Sequence, residues 1–230
     1  NESNAWKSAD GGARWTPMEA DPDEFQSIAV HPRMTNLVFI GGVDQGVFRS
    51  QNAGAAWQAA NSGLTAYITP RLAANKKRII AGGSGHLMFQ SVDRGKSWRR
   101  LDFGRRDSLA EDGQVHPLDL DLIAVAGVIG RETALAISNN GGRSWRFPGS
   151  FVGANFVRFD PQDSRTIYLA IDGTLDPASG VAKSADQGQS WKLMNVGLTD
   201  RKITAFVVNQ QNGRDLWLGT ESGKVFRSTD

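Results

Sequence analysis

The sequence predicts an all-β fold built from a repeated four-stranded antiparallel unit, and three observations carry that reading. An octapeptide of the form Ser-x-Asp/Asn-x-Gly-x-x-Trp occurs five times, as SADGGARW at 8–15, SQNAGAAW at 50–57, SVDRGKSW at 91–98, SNNGGRSW at 138–145 and SADQGQSW at 184–191. A sixth copy opens as Ser228-Thr229-Asp230. The copies start 42, 41, 47, 46 and 44 residues apart, a period that suits four short strands with their turns. Between the copies lie short apolar runs bounded by turn residues, the pattern of buried strands. Blades of a β-propeller have this size and composition, so a propeller is the expected architecture.

Each part of the octapeptide has a physical role. Ser8, Ser50, Ser91, Ser138 and Ser184 open the copies. Asp10, Asp93 and Asp186 can accept hydrogen bonds from backbone N–H groups further along a tight turn, and Asn52 and Asn140 can do the same without charge. Gly12, Gly54, Gly95, Gly142 and Gly188 suit a left-handed backbone. Trp15, Trp57, Trp98, Trp145 and Trp191 supply a large apolar face to cover the hairpin.

The flanking segments complete the unit. Gly46–Ser50, Gly180–Ser184 and Lys224–Ser228 share one plan and read as the strand that enters the box. Upstream, Val30-His31-Pro32, Val115-His116-Pro117 and Phe159-Asp160-Pro161 each precede an apolar run, at Leu37–Ile40, Leu122–Val125 and Thr166–Leu169. Arg78–Gly83 and Asp215–Gly219 fill the same slot without a proline. Each repeat thus runs strand, turn, strand, hairpin, strand, box, strand. The expected blades are 21–62, 63–104, 105–150 and 151–198, with partial blades at 1–20 and 199–230, all in one propeller domain of about five blades' worth. Strand three would then occur twice at a junction of the two ends. That leads to the expectation that the chain is a piece of a six- or seven-bladed ring.

Composition removes several function classes. There are no cysteines, which excludes disulfides and thiolate metal sites. The apolar run Leu122–Ile129 is too short to span a membrane. A net charge of +2 argues against a general nucleic-acid binder. The charge is uneven, however. Between Arg71 and Arg106 there are ten basic residues, Arg71, Lys76, Lys77, Arg78, Arg94, Lys96, Arg99, Arg100, Arg105 and Arg106, against Asp93 and Asp102, a net +8. Such a sector can steer an acidic partner, or it can serve only to solvate turns and edges. The turn carrying Glu19, Asp21, Asp23 and Glu24 reads as solubilising charge.

The octapeptide resembles the Asp-box, or bacterial neuraminidase repeat, and the resemblance covers essentially the whole chain. Families with this repeat include sialidases, xyloglucan-type glycoside hydrolases, the sortilin-type receptor domain and the photosystem II assembly-factor group. The longer-period features, Gly63-Leu64-Thr65, Gly197-Leu198-Thr199 and the His-Pro or Asp-Pro turns, are most similar to the assembly-factor and xyloglucanase type. The resemblance implies that the box residues are structural, on the outer rim of the propeller. It also implies an extracytoplasmic setting.

Three functions follow for comparison. The first is a non-catalytic binding or assembly module, with Arg99, Arg100, Arg105, Arg106, Lys76, Lys77 and Arg78 as the contact residues for a protein partner with an acidic surface. The second is a glycoside hydrolase acting on carbohydrate through two carboxylates. Glu111, Asp112, Asp119, Asp121 and Asp176 lie in or near connections, and Tyr67 is the freer of the two tyrosines, Tyr168 sitting at a strand position. The third is a peptide receptor. No cofactor or metal motif is present: His31 and His116 share the His-Pro turn and read as structural, and Gly82-Gly83-Ser84-Gly85 lacks the Lys-Ser/Thr of a phosphate loop. Asn1-Glu2-Ser3 is the only glycosylation sequon.

Overall fold

Hydrogen-bonded pairing of neighbouring segments, in chain order, organises the whole molecule. The structure, a computed structural model, describes residues 5–18, 24–65, 71–82, 87–130, 133–148, 153–171 and 179–229. Twenty strands and no helix are found among them. β1 (Ala5–Lys7) and β2 (Thr16–Met18) form a hairpin. Three meanders have four strands: β3 (Phe25–Val30), β4 (Val38–Gly42), β5 (Gly46–Ser50) and β6 (Gln58–Ala59); β7 (Leu72–Ala74), β8 (Ile79–Gly82), β9 (Met88–Ser91) and β10 (Arg99–Arg100); and β14 (Ala154–Phe159), β15 (Ile167–Ile171), β16 (Gly180–Ser184) and β17 (Lys192–Leu193). Two have three strands: β11 (Leu109–Val115), β12 (Ile123–Ile129) and β13 (Thr133–Ser138); and β18 (Ile203–Asn209), β19 (Asn212–Thr220) and β20 (Val225–Ser228). Beside β13 the fourth strand shrinks to one bridge, Ile137 with Arg146.

The described residues fall into two compact units. The first holds residues up to Gly82 together with Met88–Arg100, and the second holds residues from Leu101 onward. In the first unit Phe39, Ile40, Val47, Ile79, Ile80 and Phe89 are buried. Gly95 lies so close to Phe39 that a Cβ there would come 2.5 Å from its ring, so the second sheet settles on the first only without a side chain at that point. In the second unit one apolar layer joins Leu122, Leu135 and Ile137 to Val157, Leu169 and Ile171. Another joins Tyr168, Ala170 and Val181 to Phe206, Val208 and Leu216. The second strands β4, β8, β12 and β15 are therefore apolar on both faces, which is why their runs in the sequence read as continuous, whereas β19 alternates.

Every box folds by the same local bonds, between the third and fourth strands in each four-stranded sheet. The serine hydroxyl donates to the Asp or Asn side chain and accepts the glycine N–H, as at Ser91 with Asp93 and Gly95, both at 2.8 Å. The Asp or Asn oxygen then accepts the N–H four residues on, at 2.8–2.9 Å for Arg14, Ala56, Ser97, Ser144 and Ser190. Asn52 and Asn140 thus replace the carboxylate without loss of the turn. Hydrogen bonds from the Ser190 hydroxyl and amide hold the Asp186 carboxyl down at about 2. Partial burial opposes the same effect at Asp93, where bonds from Ser97 and Ser91 still bring it to about 2.

The first strand of four sheets carries an irregularity that the sequence reading missed. The register slips between Phe25 and Ser27, Ala110 and Asp112, Ala154 and Phe156, and Ile203 and Ala205. Gln26, Glu111, Asn155 and Thr204 are the extra residues, all polar, at one repeated position.

Candidate functional site

Strands one and two meet in a turn whose first side chain accepts backbone N–H bonds, and one such turn walls the candidate site. His116 Nδ1 accepts from Leu118 at 3.2 Å and Asp119 at 2.9 Å, so its Nε2 carries the proton and donates to the Asp160 carbonyl at 3.0 Å in the next sheet. His31 Nδ1 accepts from Arg33 and Met34 in the same way. Asn75 takes this role in the second sheet, accepting from Lys77 and Arg78 at 2.9 Å. Burial holds both histidines below the usual imidazole value. Arg94 and Arg33 reinforce this at His31, whereas Asp119, Asp160 and Asp163 oppose it at His116. The histidines are thus structural, as their repeated turn suggests.

In the first unit these turns bring basic side chains together. His31, Lys76, Lys77, Arg78 and Arg94 line a cavity of about 260 Å³, with Asn75, Ile79 and Val92. No carboxylate is among its described lining residues. Lys76 and Lys77 are exposed on the turn between β7 and β8. Arg94 comes from the third box, where it takes a left-handed conformation with φ 65°. Arg78 departs from the sequence expectation of a surface contact residue. It is 4% exposed, and its Nη1 donates to Gln90 Oε1 at 2.6 Å, because it continues the run of β8 and faces β9. It is nonetheless one of the residues that line the cavity.

The other basic candidates are placed differently. Arg99 and Arg100 form β10, the exposed fourth strand of the second sheet. Arg105 and Arg106 belong to the second unit. Arg105 stacks its guanidinium 3.7 Å over the Phe147 ring, and its carbonyl accepts from Ser108. Its side chain therefore packs a loop in place.

Among the described carboxylate candidates, Asp112 is taken up by an ion pair and Glu111 is held apart from Asp119 and Asp121. Asp112 is 2% exposed and ion-pairs with Arg158, while its Oδ2 also accepts the Val157 N–H at 3.1 Å. Arg158 Nε reaches on to the Phe206 carbonyl at 2.8 Å. Three consecutive first strands, β11, β14 and β18, are thereby tied together, with the catalytic candidate Asp112 as the anchor of this tie. Glu111 is the adjacent bulge residue. Asp119 and Asp121 lie in the turn beyond Val115 at the other end of β11, roughly 13 Å or more from Glu111 at the rise of a strand. Two-carboxylate hydrolysis needs about 5–9.5 Å. Tyr67, Asp176, Glu19, Asp21, Asp23, His86 and the sequon at 1–3 lie outside the described residues. Tyr168 is buried, with its hydroxyl donating to the Gly213 carbonyl at 3.1 Å, and burial pushes it up to about 12.

Among the described residues no three His, Cys, Asp or Glu side chains cluster where they could hold a metal ion, and no helix is long and apolar enough to cross a membrane.

Solved structures share this architecture. YCF48 bound to D1 peptide aligns over 96% of this chain and 70% of its own, at 16% identity and a TM-score of 0.68. The outer coat vertex of COPII on membranes aligns over 97% of this chain and 63% of its own, at 11% identity and a TM-score of 0.74. The fold is a β-propeller. The GH74 enzyme of Niastella koreensis aligns over 88% of this chain at 21% identity and a TM-score of 0.63, but the chain spans only 29% of that enzyme's length. No protein-family model and no curated protein sequence matches the chain.

Proposed function

We propose that this chain is a non-catalytic binding or assembly module whose contact site is the basic cavity of the first unit, and whose partner is a protein segment that presents carboxylates. The observation that carries the reading is the convergence of Lys76, Lys77, Arg78 and Arg94 on one cavity that has no carboxylate among its described lining residues. A rigid sheet scaffold fixes these groups in place, so little ordering is needed on binding. YCF48, a propeller of low identity, is known bound to a peptide, which supports a peptide as the form of the partner. The Ser-x-Asp/Asn-x-Gly-x-x-Trp elements are Asp-boxes in this reading, and the setting is extracytoplasmic by their resemblance.

The alternative is a glycoside hydrolase, favoured by the likeness of the fold to the GH74 enzyme. The burial of Asp112 and the separation of Glu111 from Asp119 and Asp121 weigh against it. A receptor for peptides of the sortilin type ranks third, and nothing in the described residues favours it over the first reading.

The test is an anisotropy titration of a labelled Glu-rich peptide against the wild-type protein and against the variant Lys76→Glu/Lys77→Glu/Arg94→Glu. The reading predicts binding that weakens about tenfold or more in the variant and falls with added salt. Equal binding by both proteins, or release of sugar from a polysaccharide panel, would overturn it.

A further inference from the structure

The turns between first and second strands are built alike, yet they carry opposite charge in the two units. In the first unit, residues 31–37 and 75–78 hold Arg33, Lys76, Lys77 and Arg78 and no acid. In the second, residues 116–122 and 160–166 hold Asp119, Asp121, Asp160 and Asp163 against one cation, Arg165. Two of these acids are used within their own turn. Asp163 pairs with Arg165 and accepts from the Thr166 hydroxyl at 3.0 Å, and Asp160 accepts the Gln162 N–H at 2.9 Å. Asp119 has no cation partner among the described residues, and its Oδ1 accepts only the Asp121 N–H, at 3.4 Å.

The turn that carries Asp119 is held in shape from within. His116 Nδ1 accepts the Leu118 and Asp119 N–H groups, and the Asp119 carbonyl accepts from the Leu122 N–H at 3.1 Å. Leu118 is 63% exposed, and Asp119 is exposed beside it. The turn therefore presents an apolar side chain next to a carboxylate, already ordered for contact. The basic cavity of the first unit has the complementary pair. Val92 is 59% exposed and lines that cavity together with Lys76, Lys77 and Arg94. Like charges held together cost free energy, which an incoming carboxylate relieves.

We propose that the turn at 118–121 of a second copy of the chain seats in this basic cavity. Leu118 covers Val92, and Asp119 enters among Lys76, Lys77 and Arg94. The inference rests on the reading of the cavity as a carboxylate site and names its occupant. Each copy gives one turn and receives one. One turn in one cavity covers far less area than a stable dimer needs, so the association is weak and sensitive to salt.

Sedimentation velocity from about 10 μM to about 1 mM protein tests this. The wild-type protein associates as its concentration rises, and added salt reverses the association. Asp119→Lys weakens association about tenfold or more, and so does Lys76→Glu/Lys77→Glu/Arg94→Glu. Mixed one to one, the two variants associate again, because the first retains the cavity and the second retains the turn. The Asp119→Lys arm stands even if the triple variant fails to fold. A wild-type protein that stays monomeric throughout, an Asp119→Lys protein that associates as the wild type does, or a mixture of the two folded variants that stays monomeric overturns the proposal. A monomeric wild-type protein that still binds the Glu-rich peptide sinks this inference and leaves the carboxylate-binding reading standing, whereas failure of both removes both.

Discussion

The Trp98 indole N–H donates to the Ala60 carbonyl at 2.7 Å, a bond between two sheets formed by residues 38 apart in sequence. Trp98 is nearly fully buried, whereas the equivalent Trp191 is only partly covered and bonds within its own box to Gly188 O. Trp98→Phe is expected to lower stability by about 1 kcal/mol through the lost bond, and Trp98→Ala by about 3–5 kcal/mol through the cavity left behind. Trp191→Ala is expected to cost less than Trp98→Ala. Urea unfolding of the three variants checks the order.

Asp112 offers a test that separates structure from catalysis. Asp112 is buried and its partner Arg158 partly so, and removing one partner of a buried pair typically costs about 3–5 kcal/mol. Asp112→Ala should therefore unfold at markedly lower denaturant. An Asp112→Ala protein with wild-type stability would restore this carboxylate as a catalytic candidate.

The His-Pro turns make stability depend on pH. Both His31 and His116 are needed neutral, since Nδ1 accepts two N–H groups, and both are held below the ordinary value of about 6.5. The folded state then binds fewer protons than the unfolded state, so the contribution is complete above about 6.5 and is lost as pH falls towards the folded values. His31→Asn/His116→Asn keeps a turn acceptor of the kind Asn75 provides and removes the titration. Chemical denaturation at two pH values, about 7.5 and 5, should show a smaller loss in this variant than in the wild type.

The box also contains strain that can be relieved. Ala53, Arg94 and Gln187 occupy the position before the box glycine with φ 58°, 65° and 59°. In the other two boxes that position is Gly11 or Gly141. Ala53→Gly is expected to stabilise by about 0.5–1 kcal/mol, since the left-handed cost removed exceeds the entropy that glycine adds to the unfolded chain. A rise of the thermal midpoint by a few degrees is the readout.

What could be read from the sequence was set by the range of each interaction. The box bonds span two to four residues, so Ser91, Asp93 and Gly95 announce their own turn. The His-Pro turn is legible for the same reason. The contacts that place the sites are not local. Arg78 looked like part of a surface cluster because its partner, Gln90, is reached only when β8 pairs β9. Asp112 looked like a connection residue because its tie to Arg158, 46 residues on, depends on how two sheets stack. Arg94 is one charge among ten in the sequence, and only the folded box brings it to the cavity beside Lys76 and Lys77.

Site-resolved NMR during titration with a Glu-rich peptide examines the central claim most directly. The account predicts chemical-shift changes concentrated at His31, Lys76, Lys77 and Arg94, with the His31 imidazole value rising as a carboxylate offsets the field of Arg94 and Arg33. Shifts that leave these residues unmoved while the peptide binds elsewhere would contradict it.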